Sequence, residues 1–226
     1  MTQLEVGTGQ GPALVDWSAP EDGASFLLAL THGAGGTVRA PDLLAARDAA
    51  LRLGGGVALV TQPYRVRGAR APGSAGRQDE AWTEIMAWLR PGGSGGLPVA
   101  PRALQGPLIV GGRSNGARVA CRTAAAVDAR GVIALAFPLQ PPARRVRGSE
   151  GPTLPPDRSA ELRAAARGGA HVLVLNGDRD PFGIPAGGES TRVIVLKGET
   201  HSLSKKTAAV STAVAAWLAD VALLVP

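Results

Sequence analysis

Apolar residues fall into short, nearly continuous runs closed by Gly or Pro: Ala13 to Trp17, Phe26 to Leu30, Val57 to Thr61, Leu108 to Val110, Val132 to Phe137, Val172 to Leu175 and Val193 to Leu196. A strand with one face in water alternates apolar with polar residues. Runs without that alternation predict strands covered on both faces, and helices must supply the cover. Helical patterns lie between the runs. Asp42 to Leu53 is rich in Ala and Leu, and Asp79 to Leu89 sets Trp82, Ile85, Met86 and Leu89 on one face before Pro91 ends it. Asn115 to Val127 carries a face of small residues, Ala117, Ala120, Cys121 and Ala124, which lets a helix lie close to a sheet. Asp157 to Arg167 and Lys205 to Val221 complete the set, the last with Val210, Val214, Trp217 and Val221 on its buried side. Strands alternating with helices predict right-handed crossovers and a mostly parallel sheet with helices on both faces, begun by antiparallel N-terminal strands. Ligands bind such sheets beyond the C-terminal ends of the strands, so the loops after each run are where chemistry is expected.

Composition narrows the class. A chain of 226 residues is expected to form a single domain over residues 1–226, and 45% hydrophobic with 19% charged residues is ordinary for a globular protein. The start of the chain lacks a basic then apolar leader, and no apolar run approaches the roughly 18 residues of a membrane helix, so a cytoplasmic protein without a membrane partner is expected. The single Cys121 excludes an intrachain disulfide, and no His, Cys and Asp grouping has metal-ligand spacing, so neither metal nor cofactor is expected. The net charge of +6 comes almost wholly from Arg scattered along the chain, while aromatic residues reach only 4%, too few for base-stacking platforms. Nucleic acid is therefore not the expected partner.

The most specific signal is Gly112-Arg113-Ser114-Asn115-Gly116, a G-x-S-x-G between a predicted strand and a predicted helix. That context marks a nucleophile elbow, in which Gly is needed two residues either side of a Ser carried on a sharp turn. Ser114 would then stand at a helix N-terminus, with the amide of Asn115 aimed at a developing oxyanion. After Phe26 to Leu30 comes Thr31-His-Gly-Ala-Gly-Gly, where the amide of Ala34 is the candidate second donor. After Val172 to Leu175 comes Asn176-Gly-Asp-Arg-Asp-Pro-Phe, and after Val193 to Leu196 comes Lys197-Gly-Glu-Thr-His. An acid and a histidine thus follow Ser114 in the order Ser, Asp, His used by the α/β-hydrolase fold. Ser114, Asp180 and His201 are the candidate nucleophile, orienting acid and base. Asp178 is the alternative acid, or a cap on the turn. His32 is expected to bond within its own loop, His171 to begin a strand, and Cys121 to be core.

With these residues in view, the sequence resembles small α/β-hydrolases of dienelactone-hydrolase-like fold, whose animal relatives include a testis-expressed protein and a chromatin acetyltransferase-complex subunit. The resemblance spans nearly the whole chain. It rests on Thr31-His-Gly-Ala-Gly-Gly, Gln62-Pro-Tyr-Arg-Val with Arg70-Ala-Pro and Trp82, Gly111-Gly-Arg-Ser-Asn-Gly-Ala-Arg-Val-Ala, Phe137-Pro-Leu-Gln-Pro-Pro, Gly177-Asp-Arg-Asp-Pro-Phe-Gly and Thr200-His201. It implies the same triad of Ser114, Asp180 and His201. Dienelactone hydrolases proper have a Cys nucleophile where this chain has Ser114, so their substrate does not carry over. Gln140 stands where many relatives have His.

Around the site, Arg65 and Arg67 follow a predicted strand and are candidate receivers of an anionic substrate group through their guanidinium forks, the alternative being a solvated loop paired with surface acids. The Pro-rich stretch from Pro141 to Pro156 is too short for a cap domain, so a flap or connector and an open, shallow site are expected. The expected function is a serine hydrolase acting on a small carboxylic ester or related acyl bond, its partner a small-molecule acyl substrate. The rival is a catalytically silent hydrolase-like domain serving as a binding or scaffold module.

Overall fold

The structure, a computed structural model, describes residues 1–90, 106–141, 144–145, 152–153, 155 and 157–223. Strands β1 (Thr2–Val6), β2 (Ala13–Ser18), β3 (Leu27–Thr31), β4 (Gly56–Thr61), β5 (Leu108–Arg113), β6 (Gly131–Leu135), β9 (His171–Gly177) and β10 (Thr191–Leu196) form one sheet in the order β1-β2-β4-β3-β5-β6-β9-β10. β1 and β2 enter antiparallel and every later pairing in the sheet is parallel. Helices α1 (Pro41–Arg52), α2 (Pro63–Val66), α3 (Ala75–Leu89), α4 (Asn115–Thr123) and α5 (Ser159–Arg167) lie between the strands, and α6 (Thr207–Val221) follows β10. Two short strands, β7 (Arg144–Arg145) and β8 (Pro152–Thr153), pair antiparallel apart from the sheet. The remaining part of the Pro141 to Pro156 connector, and with it the expected flap, lies outside the described residues.

The apolar runs are continuous because their residues alternate between two cores. Leu27, Ala29, Ala58, Val60, Val110, Val132, Ala134, Val172 and Val174 pack with Trp82, Ile85, Met86, Ala117, Ala120 and Leu162 of α3, α4 and α5. Their neighbours Leu28, Leu30, Val57, Leu59, Ile109, Ile133, Leu135, Leu173 and Leu175 pack with Leu43, Ala46, Val210, Val214 and Trp217 of α1 and α6. The central strands β3, β4, β5, β6 and β9 are thus buried on both faces, as a parallel sheet between helical layers requires, while the edge strands β1 and β10 are more exposed.

Several boundaries depart from the pattern reading. β6 was expected to reach Phe137 but stops at Leu135, because Ala136 adopts φ 48 and turns the chain out of the sheet. α4 was expected to run to Val127 but ends at Thr123, followed by turns. α3 begins at Ala75, four residues before Asp79, capped by the Ser74 hydroxyl, which accepts from the amide of Arg77. β1 was not anticipated, since Thr2-Gln-Leu-Glu-Val is mostly exposed and only Val6 is buried. Among the described residues no helix is long and apolar enough to cross a membrane, and no helical cap covers the rim of the sheet.

Candidate active site

The turn between β5 and α4 is made by Ser114, at φ 53 and ψ −111. Left-handed backbone at a residue with a side chain costs on the order of 1–3 kcal/mol and persists only where its surroundings enforce it. Here they do. The Ser114 amide donates to the Leu135 carbonyl at 2.8 Å, continuing the β5–β6 ladder through the strained residue. A Cβ on Gly112 would lie 2.6 Å from the Thr31 carbonyl oxygen, and one on Gly116 would lie 2.6 Å and 2.7 Å from the Thr31 and His32 oxygens. Both glycines are demanded by how closely α4 approaches the loop after β3.

Three side chains from separate strand ends meet above this turn. His201 Nε2 lies 2.9 Å from Ser114 Oγ, and His201 Nδ1 lies 2.8 Å from Asp180 Oδ2. The Asp180 side chain is fully buried and that of His201 about one quarter exposed, at 23%. Asp180 Oδ1 accepts from the Phe182 amide at 2.9 Å, and the Phe182 ring packs on the imidazole at a centroid distance of 4.6 Å. Asp178 does not reach the histidine. Its Oδ1 accepts from the Gly198 amide at 2.6 Å, tying the turn after β9 to the end of β10.

The two candidate oxyanion donors are held from behind. Asn115 opens α4, where the first amides of a helix lack intrahelical acceptors, and its side-chain nitrogen donates to Gln78 Oε1 at 2.6 Å. Ala34 follows Gly33, whose position Cβ would lie 3.4 Å from the Ser114 Cβ, and the Ala34 carbonyl accepts from the Tyr64 hydroxyl at 3.0 Å. Burial pushes that phenol up to about 12, so it stays a donor. His32 fastens the same loop. The Gln62 amide donates to His32 Nε2 at 3.1 Å, which leaves Nδ1 as the protonated nitrogen, donating to the Gly33 carbonyl at 2.9 Å. Burial lowers the His32 pKa and keeps the ring neutral.

Arg65 and Arg67, the candidate anion receivers, are turned toward backbone. Arg65 lies in α2, with Nε donating to the Gly36 carbonyl at 3.2 Å and Nη1 to the Ala69 carbonyl at 3.1 Å. Arg67 Nη1 donates to the Gln10 carbonyl in the β1–β2 turn. They brace the loops around the site, a role the sequence did not suggest. A cavity of about 120 Å³ lies beside them, lined in part by Gln62, Tyr64, Arg67 and Gln78. A larger cavity of about 700 Å³ touches Leu27, Leu108 and Ala129, so it opens at the N-terminal ends of the strands, the end of the sheet opposite Ser114.

Other supporting residues also escaped the sequence reading. Asn176 is fully buried. Its Oδ1 accepts from the Phe137 amide at 2.9 Å, and its Nδ2 faces the Phe137 and Gly183 carbonyls at 3.0 Å and 3.1 Å with Asp180 Oδ2 at 3.3 Å. Glu199 Oε1 accepts from the amides of Lys205 and Lys206 at 2.7 Å and 2.5 Å, closing the loop that carries His201. A polar residue at the end of an apolar run was the available signal for Asn176; nothing local marked Glu199. Cys121 is buried, its thiol pushed up by desolvation, and His171 is exposed at the start of β9. Among the described residues no group of three or more His, Cys, Asp or Glu side chains is placed to hold a metal.

A family model described as an alpha/beta hydrolase domain matches residues 24–220. By sequence, no curated protein matches the chain. Among solved structures, an α/β serine hydrolase without lid from Xanthomonas campestris is similar over 100% of this chain and 96% of its own, with a TM-score of 0.70 at 19% identity. A dienelactone hydrolase from Anabaena variabilis is similar over 98% and 97%, with a TM-score of 0.68 at 16% identity. Est1E from Butyrivibrio proteoclasticus, with ferulic acid bound, is similar over 96% and 98%, with a TM-score of 0.68 at 11% identity.

Proposed function

This chain belongs to the alpha/beta hydrolase domain family, a small hydrolase of dienelactone-hydrolase-like fold, and from that premise we propose that it cleaves a small carboxylic ester or related acyl bond with Ser114 as nucleophile. One observation carries the reading: His201 bridges Ser114 Oγ at 2.9 Å and Asp180 Oδ2 at 2.8 Å. The Asp180 contact sets Nδ1 as the protonated nitrogen, so Nε2 faces the hydroxyl with a lone pair. As Ser114 Oγ attacks the substrate carbonyl, its proton passes to Nε2, and the imidazolium is stabilised by the buried carboxylate. The amides of Ala34 and Asn115 receive the oxyanion. His201 returns the proton to the leaving alkoxide, leaving an acyl ester on Ser114, and water activated by the same imidazole then releases the acid.

A fluorophosphonate probe should label the wild-type protein and fail to label Ser114→Ala, with p-nitrophenyl esters of short acids hydrolysed only by the labelled protein. A wild type that neither labels nor hydrolyses any ester of the panel would refute this reading and leave the binding-module alternative.

A further inference from the structure

Arg113 ends β5 and immediately precedes Ser114, yet its guanidinium bonds residues from two other parts of the chain. Nε donates to Asp42 Oδ2 at 3.0 Å, and Nη2 donates to the main-chain carbonyl of His201 at 2.8 Å. The same edge of one guanidinium therefore joins the first turn of α1 to the backbone of the histidine. The Asp42 side chain is fully buried. Burial pushes its carboxyl up to about 6, with Arg113 the main opposing influence. A carboxylate kept in such a place is poor value for stability, since a buried ion pair is often no better than an apolar replacement. Its position has another consequence. His201 lies in an irregular loop after β10, and its imidazole meets Asp180 and Ser114 through its two ring nitrogens, contacts that leave its main chain unheld. Among the described residues, the Arg113 bond ties the His201 main chain to the strand bearing Ser114.

We propose that Arg113, oriented by Asp42, is a positioning residue for the base: it anchors the His201 carbonyl to β5 so that the imidazole stays between Ser114 and Asp180. This rests on the hydrolase reading above. A planar fork can serve a carboxylate and a carbonyl at once with fixed geometry, whereas an ammonium offers a single point of charge.

The test compares wild type with Arg113→Met, Arg113→Lys and Asp42→Asn. Misplacement of a reacting group by about 1 Å costs on the order of a hundredfold. Arg113→Met is therefore expected to lower kcat about a hundredfold with KM within about twofold, and to slow fluorophosphonate labelling of Ser114 in step. The downfield proton resonance of His201 Nδ1–H, bonded to Asp180, should broaden or vanish. Arg113→Lys and Asp42→Asn should fall between Met and wild type on all three readouts, and they decide the question if Arg113→Met does not fold. An unchanged kcat, or a loss of kcat with the resonance intact, overturns the proposal. If wild type neither labels nor hydrolyses, the hydrolase reading fails separately. The resonance then decides alone: its broadening or loss in Arg113→Lys supports anchoring and its unchanged persistence overturns it.

Discussion

At the scale of single residues, the two aspartates after β9 separate by what they touch. Asp180 Oδ2 meets the histidine and is buried, while Asp178 ties down a turn from an exposed position. Asp180→Asn should lower kcat by on the order of 10⁴-fold, because an amide misorients or mis-protonates the imidazole. Asp178→Asn keeps an acceptor for Gly198 and should stay within a few-fold of wild type in the same steady-state assay. Asp42 supplies a second residue-scale prediction, in stability. Its carboxyl is raised from the ordinary 3.8 to about 6, so between those values the folded state holds a proton that the unfolded chain has released. Its contribution is therefore full below pH 3.8 and lost as pH rises through about 6. Denaturant titrations across that range should show this loss in wild type and not in Asp42→Asn. His32 acts in the opposite sense, its lowered pKa removing stability as pH falls below the ordinary 6.5.

At the scale of elements, the pattern of apolar runs was legible wherever both faces of a strand are buried. β3, β4, β5, β6 and β9 were all recovered from it, because a strand between two helical layers has almost no polar residues to obscure the run. What escaped were elements whose reasons are not hydrophobic. β1 exists by pairing with β2, α2 by the fixed backbone of Pro63 after β4, and the end of β6 by one positive φ at Ala136. The elbow was readable because its glycines answer to a steric demand. Gly116→Ala should push α4 away from the loop after β3, since the new methyl would stand 2.6 Å from the Thr31 oxygen and 2.7 Å from the His32 oxygen. Both atoms are backbone and cannot swing aside. We expect destabilisation of roughly 1–3 kcal/mol from overpacking, read as a lower midpoint in thermal unfolding, together with loss of the proposed ester hydrolysis as the Ala34 amide moves.

At the scale of the molecule, the members of the candidate triad were legible because motif order and strand-end position bring Ser114, Asp180 and His201 to one rim. Their supports were not. Arg113, Asp42, Gln78 and Glu199 act through contacts spanning 6 to 88 positions of sequence, which no local pattern encodes. Arg65 and Arg67 show the converse: chemistry suited to anions, placed where backbone carbonyls take the guanidinium groups. The global arrangement carries a last prediction, on substrate size. Among the described residues no cap closes over Ser114, and the cavity beside Tyr64 and Gln78, on the same rim, holds only about 120 Å³. A long acyl chain would leave most of its methylenes in water, so each added carbon contributes little of the about 0.8 kcal/mol that a buried CH₂ supplies. In a p-nitrophenyl series, kcat/KM should therefore be highest for acetate to butanoate and should not rise from hexanoate to dodecanoate. Carboxylate-bearing acyl chains should show no preference that Arg67→Ala abolishes. A steady increase with chain length would mean that an apolar channel forms over the rim, and the open-site account of this fold would have to be abandoned.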